Sequence, residues 1–155
     1  MARPYETLAA WQKADDLVVE IYRATRGFPK SELYGLTTQV RRAAVSVAAN
    51  IAEGSSRQYL KEYLQFLHMA DASLSEVAYY IHLAGRLGLV DEATAKRLEG
   101  LRSDTGRPLH GLIDWVKSQM EKGTVLSARI AEDSEAYTVF CGDTNEEQLL
   151  ETGNR

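Results

Sequence analysis

A single cysteine, Cys141, is the only thiol in this chain, so no disulfide can form within it and the fold must stand on packing alone. That suits a reducing compartment, and the cytoplasm is the expected location. Apolar runs fall far short of the roughly 20 residues that cross a bilayer. Met1 to Glu6 has no apolar stretch after its basic residue, so neither a membrane span nor an export signal is expected. Prolines number only three in 155 residues, which excludes collagen-like and proline-rich linker character. Chemical motifs are missing too. No phosphate-binding loop or nucleophile elbow occurs, and the glycines punctuate helices rather than link strand to helix. His68, His82 and His110 have no Glu or Asp three positions ahead of them, as a di-iron bundle site requires. One thiol cannot build a thiolate cluster from a single chain. Neighbouring acids such as Asp15-Asp16 and Asp91-Glu92 point to different sides of a helix and form no acid/base dyad. The chain therefore reads as a non-enzyme, with no cofactor and no metal.

What remains is an ordered, helix-rich composition, 45% hydrophobic and 26% charged, long enough for one domain with a real core. Charge is unevenly placed. Residues 1–122 carry 16 Lys and Arg against 15 Asp and Glu, whereas residues 123–155 carry 2 against 7. The expected division is a helical body over 1–122 and an acidic, weakly structured tail over 123–155, with a strand-like run at Ala136–Cys141. The tail either keeps the chain soluble or covers basic patches on the body.

Apolar residues recur at three- and four-residue steps in four segments. The first runs from Leu8 to Arg26, ending at Gly27 and Phe28-Pro29. The second starts near Ser31, a capping residue followed by Glu32, and reaches Glu53, with Gly54 as a left-handed stop. The third runs from Ser55 or Ser56 to Leu87-Gly88. The fourth opens on Asp91 and ends about Glu121, with a kink or break expected at Gly106-Arg107-Pro108. Short connections make sequential helices antiparallel neighbours, so the fold class is all-α, an up-down-up-down four-helix bundle. Trp11 and Trp115 read as core or interface aromatics.

The second helix carries most of the functional information. At about 100° per residue, Leu36, Val40, Ala43, Val47, Ala48 and Ile51 form one core face. Gln39, Arg42, Ser46, Asn50 and Glu53 line the edge of that face. They are expected to be semi-buried, and Glu76, Ser73 and Gln65 on the third helix are available partners in a polar network that fixes register. On the opposite side Val45, Ala49 and Ala52 occupy positions where a solvent-facing helix carries Lys and Glu. A helix that is small and apolar almost all round is buried on more than one side. The inference is a homo-oligomer with this helix at or near the interface.

The stretch Gln39 to Gly54, QVRRAAVSVAANIAEG, is distinctive. Together with Leu8–Ala14 (LAAWQKA), Phe28–Leu36 (FPKSELYGL) and Ser73–Val77 (SLSEV), it resembles the signature of a bacterial four-helix-bundle family. That family includes ribosomal-protein-like proteins encoded by intervening sequences within large-subunit ribosomal RNA genes. The accessory variability proteins of diversity-generating retroelements are similar. The resemblance covers residues 5 to about 120, and it implies a bundle that assembles as a ring-like homopentamer. In the retroelement relatives it implies binding of nucleic acid through basic surface.

Candidate phosphate contacts are Arg41, Arg42, Arg57 and Lys61, with Arg23, Arg26 and Lys30 near the first loop. The leading functional expectation is an oligomeric bundle that binds RNA or DNA, alone or in a ribonucleoprotein, through these groups. The alternative is a protein–protein interaction scaffold with no nucleic-acid binding. A third reading, an enzyme pocket built from Arg42, Asn50, Glu53 and Glu76, rests only on their polar clustering.

Overall fold

The computed structural model describes residues 3–123; the acidic tail and its strand-like run lie outside the described residues. Among the described residues there are four α-helices and no strand. They are α1 (Ala9–Ala24), α2 (Leu36–Ser55), α3 (Leu60–Arg86) and α4 (Glu92–Glu121).

Each helix exists because one stripe of it is apolar. In α1 the stripe is Ala10, Ala14, Leu17 and Ile21, all buried; in α3 it is Leu60, Tyr63, Leu67, Ala70, Leu74, Val77, Ile81 and Ala84. α1 is shorter than expected at both ends because 3-10 turns at Pro4–Thr7 and Thr25–Gly27 flank it. Such turns commonly close helix ends with tighter hydrogen bonds. Trp11 and Trp115 lie partly buried against the common core.

The start of α2 departs from expectation. Ser31 does not cap it; Lys30–Glu32 is a separate 3-10 turn, and the helix begins only after Gly35. The side chain of Glu32 does the satisfying instead, its Oε2 accepting from the Leu36 amide at 3.2 Å. The expected stop at Gly54 is also displaced, since the helix continues through it to Ser55 and its φ is not positive. Gly54 is needed for closeness. A Cβ there would lie 2.8 Å from Phe66 Cβ and 2.9 Å from Tyr63 Cδ2, so the missing side chain lets α3 approach the backbone of α2. A linker of Ser56 to Tyr59 then separates the two helices, and α3 starts later than the sequence suggested.

At the far end of α3 the expected stop is present. Gly88 has φ 68°, its amide bonds to the Gly85 carbonyl at 3.1 Å, and the Leu89 amide bonds to the Ala84 carbonyl at 2.9 Å. This is the paired-bond C-terminal motif that glycine in the left-handed region permits. Asp91 caps α4 as expected, its Oδ1 accepting from the Thr94 amide at 2.7 Å. Hydrogen bonds from Thr94 hold its carboxyl below the ordinary value.

No break occurs in α4 at Pro108; the helix is continuous from Glu92 to Glu121. An internal proline costs about 3 kcal/mol. Burial of Leu109, Leu112 and Ile113 beyond it, and of Thr105 and Gly106 before it, outweighs that at roughly 1.5–3 kcal/mol per large apolar side chain. Thr105 adds a hydroxyl bond to the Lys13 carbonyl at 3.1 Å, tying this turn to α1.

The helices pack in a closed square, α1 on α2 and α4, α3 on α2 and α4. Contacts along each seam run in opposite senses, as antiparallel neighbours give. Gly54 meets Tyr63 and Phe66 while Ser46 meets Ser73. Across the next seam Gly85 faces Ala95, Gly106 faces Leu74 and His110 bonds Asp71. Glu20 pairs with Arg97 and Thr105 reaches Lys13.

Gly100, on the exposed side of α4, is the opposite of Gly54. A Cβ there meets nothing within 4 Å, and the helix interior disfavours glycine. Gly100→Ala is therefore expected to stabilise the protein by about 0.5–1 kcal/mol, read as a raised thermal midpoint.

Candidate nucleic-acid interface

The polar edge of α2 divides on folding. Asn50 is buried and its Nδ2 donates to the Ser46 carbonyl at 2.8 Å and to Ser46 Oγ at 2.9 Å. The hydroxyls of Ser46 and Ser73 are hydrogen-bonded at 2.9 Å, which joins α2 to α3. Gln39, Arg42, Glu53 and Glu76 are exposed and take no part in this trio. The six-residue semi-buried network expected from sequence is thus, within the chain, two of those residues plus Ser73. Asn50 lies closest to the core stripe and Ser46 is met by Ser73 of α3, whereas Gln39, Arg42 and Glu53 are left open to solvent. Glu53 instead pairs with Arg57 one turn on.

The other side of α2 is only partly covered by the described residues. Val45 keeps 41% of its surface exposed, Ala49 is exposed and Ala52 half-buried. Ala49 and Ala52 line a shallow groove with Arg3, Pro4 and Tyr5. The N-terminal turn thus partly covers a face that helix periodicity alone left open. Tyr5 is itself held against Trp11, ring centres 5.0 Å apart.

The cations fall into two groups. Arg41 is half-buried and fixed: its Nε donates to Thr25 Oγ1 at 2.8 Å, and its guanidinium carbon lies 4.6 Å from the centre of the Tyr22 ring. Thr25 is aligned in turn by donating to the Ile21 carbonyl at 2.8 Å. Arg42 is exposed and has no ion pair among the described residues. Both arginines line a groove between α1 and α2 whose other walls are Tyr22, Thr38, Val45 and Ser46.

Arg57 and Lys61 belong elsewhere, at the corner where α2 gives way to α3. Arg57 is engaged by Glu53 and stacks 4.5 Å from the Phe66 ring centre; Lys61 is exposed. Arg42 and Gly54 are about 18 Å apart along the helix at 1.5 Å per residue, so the four predicted contacts are not one patch. Near the first loop Arg26 and Lys30 are exposed, but Arg23 is bound by Glu20 together with Arg97. Hydrogen bonds from those two arginines hold the Glu20 carboxyl below its usual value. The Tyr22–Arg41–Thr25 clamp was not foreseen, because it joins two helices and no spacing within either one announces it.

Other chemistry is sparse. Among the described residues no group of three or more His, Cys, Asp or Glu converges to hold a metal, and no helix is long and apolar enough to cross a membrane. His110 Nε2 and Asp71 Oδ1, 2.8 Å apart, form an exposed link between α4 and α3. The Tyr63 phenol is buried without a hydrogen-bond partner among the described residues, and burial pushes its pKa up. Of the residues once grouped as an enzyme pocket, Asn50 is engaged by Ser46 while Arg42, Glu53 and Glu76 lie exposed.

Residues 6–111 match the family described as 23S rRNA-intervening sequence protein. The chain belongs to this family. The match begins in the N-terminal turn and ends inside α4, so it takes in all of α1 to α3, the small face of α2 and the arginine groove. No curated protein matches the chain. For this intervening-sequence protein, the family and the helical fold expected from the QVRRAAVSVAANIAEG stretch agree with the match.

Proposed function

We propose that this intervening-sequence protein is a non-catalytic homo-oligomer, five-membered as its resemblance implies, that binds RNA or DNA through the exposed cations of its bundle in the cytoplasm. The observation that carries this reading is the outer face of α2. There Val45 and Ala49 stand uncovered next to two consecutive arginines that no acidic group of the described residues engages. Small apolar side chains suit close contact between copies, and each added copy repeats the cationic groove, so weak single sites gain through avidity.

Two measurements test it. Light scattering should give a mass several times that of one chain. Electrophoretic shift with structured ribosomal RNA fragments at low salt should show a complex whose affinity falls by about 0.9 logarithmic units per neutralised duplex phosphate for each tenfold rise in salt. No shift at micromolar protein overturns nucleic-acid binding. The second reading, a scaffold for protein clients, is favoured by the near balance of charge over residues 1–122. Defined complexes that survive nuclease treatment, together with no shift, would select it.

A further inference from the structure

We infer that the groove between α1 and α2 is a seat for one backbone phosphate of the bound nucleic acid, with Arg41 as a pre-set fork and Arg42 as the second donor. This rests on the nucleic-acid reading above and narrows it to one place on the chain.

Arg41 is preorganised by folding. A guanidinium has five N–H donors in a planar fork. In Arg41 the Nε–H is taken by Thr25 Oγ1 at 2.8 Å, and the plane is fixed against Tyr22 at 4.6 Å. The four hydrogens on the two terminal nitrogens have no acceptor among the described residues. Ordering a free arginine side chain costs rotamer entropy; here folding has already ordered it, so a ligand need not. A fork held by its inner nitrogen presents the outer pair, the geometry that binds an oxyanion in two parallel bonds.

The charge in the groove is uncompensated by its walls. Arg42 follows directly on the helix and lines the same groove, with Tyr22, Thr38, Val45 and Ser46. No carboxylate is among those walls. The α1 carboxylates Asp15, Asp16 and Glu20 are not among them, and Glu20 is engaged by Arg23 and Arg97. Thr38 donates its hydroxyl to the Leu33 carbonyl, so the groove's charge comes from the two arginines alone. Arg57 makes the contrast. It also stacks on an aromatic ring, but Glu53 neutralises it, so it already has the anion that Arg41 lacks. The same stacking device serves an ion pair at the C-terminal end of α2 and, near its start, an arginine that no carboxylate of the described residues engages.

Fluorescence anisotropy of the full chain with a labelled structured ribosomal RNA hairpin at low salt tests this. Arg41→Gln and Arg42→Gln should each weaken binding about tenfold and lower the salt slope by about one. Arg42→Lys, which keeps the charge, should retain the slope. Tyr22→Leu, which releases Arg41 without removing charge, should weaken binding severalfold with the slope kept. Arg57→Gln should bind as the native chain does. Native-like binding by both glutamine variants, or a loss equal to theirs in Arg57→Gln, overturns the seat while leaving nucleic-acid binding intact. A change in light-scattering mass in Arg41→Gln or Arg42→Gln, with RNA affinity unaltered, overturns it too and assigns the groove to contact between copies. No binding by the native chain overturns both readings.

Discussion

Ala49→Glu should yield a folded monomer. Ala49 is exposed on α2 and makes no part of the core stripe of Leu36, Val40, Ala43, Ala44, Val47 and Ile51, so a glutamate there leaves the bundle's own packing untouched. In the proposed assembly the same position faces another copy. Burying a carboxylate without a partner costs several kcal/mol per site, and a cyclic assembly repeats that cost at every interface, so association should weaken by more than about a hundredfold. Light scattering reads the mass, and circular dichroism reads whether helix content is kept. An oligomer of native mass in Ala49→Glu would place the contact surface elsewhere; a native protein that is already monomeric would remove it altogether.

Gly54→Val should cost about 3 kcal/mol or more. Valine gains over glycine by a few tenths of a kcal/mol in helix propensity, but its Cβ would start 2.8 Å from Phe66 Cβ. That atom sits next to the α3 backbone and cannot swing aside by changing rotamer. The helices must separate, and with them the contacts of Tyr63, which is 1% exposed and among the largest fully buried side chains. Overpacking of this kind typically costs 1–3 kcal/mol, and occasionally more; for a domain of this size the upper value lowers the midpoint of thermal unfolding by roughly 10 °C. Even Gly54→Ala should destabilise, the reverse of Gly100→Ala. Matching gains at both glycines would show that the close approach of α2 and α3 is unimportant.

These two glycines also mark where sequence reasoning reached its limit. Periodicity found all four helices because each has an apolar stripe whose repeat is set by helix geometry alone. Asp91 and Gly88 were legible for the same local reason: a cap or a left-handed turn is decided by the few residues around it. Gly54 was misplaced because a glycine that ends a helix and a glycine that admits a neighbouring helix look alike without the neighbour. Ser31 failed as a cap because the intervening 3-10 turn and Gly35 postpone the helix, a competition that propensity does not decide. Pro108 was overweighted because its local cost was visible and the burial opposing it was not.

At the candidate site the residue types were legible but not their distribution. Arg41, Arg42, Arg57 and Lys61 were all named from charge and helix position, yet only the first two share a groove. What separates them is Tyr22 on α1 and Phe66 on α3, partners supplied by other helices. The polar network shrank for a related reason. A helical wheel gives an angle, and only the packed neighbour decides at which angle water is excluded.

The trio of Asn50, Ser46 and Ser73 bears on how the bundle moves. Displacing α3 along α2 by one turn, about 5.4 Å, would pull the Ser73 hydroxyl from Ser46 and bring Ala70 or Val77 opposite it, leaving polar groups to face aliphatic ones. Sliding between these two rods is thereby penalised at their midpoint. In the proposed assembly, any adjustment that accommodates a differently shaped client would then come from tilting whole subunits against each other, so the spacing between arginine pairs would be set by how protomers are joined rather than by changes inside them.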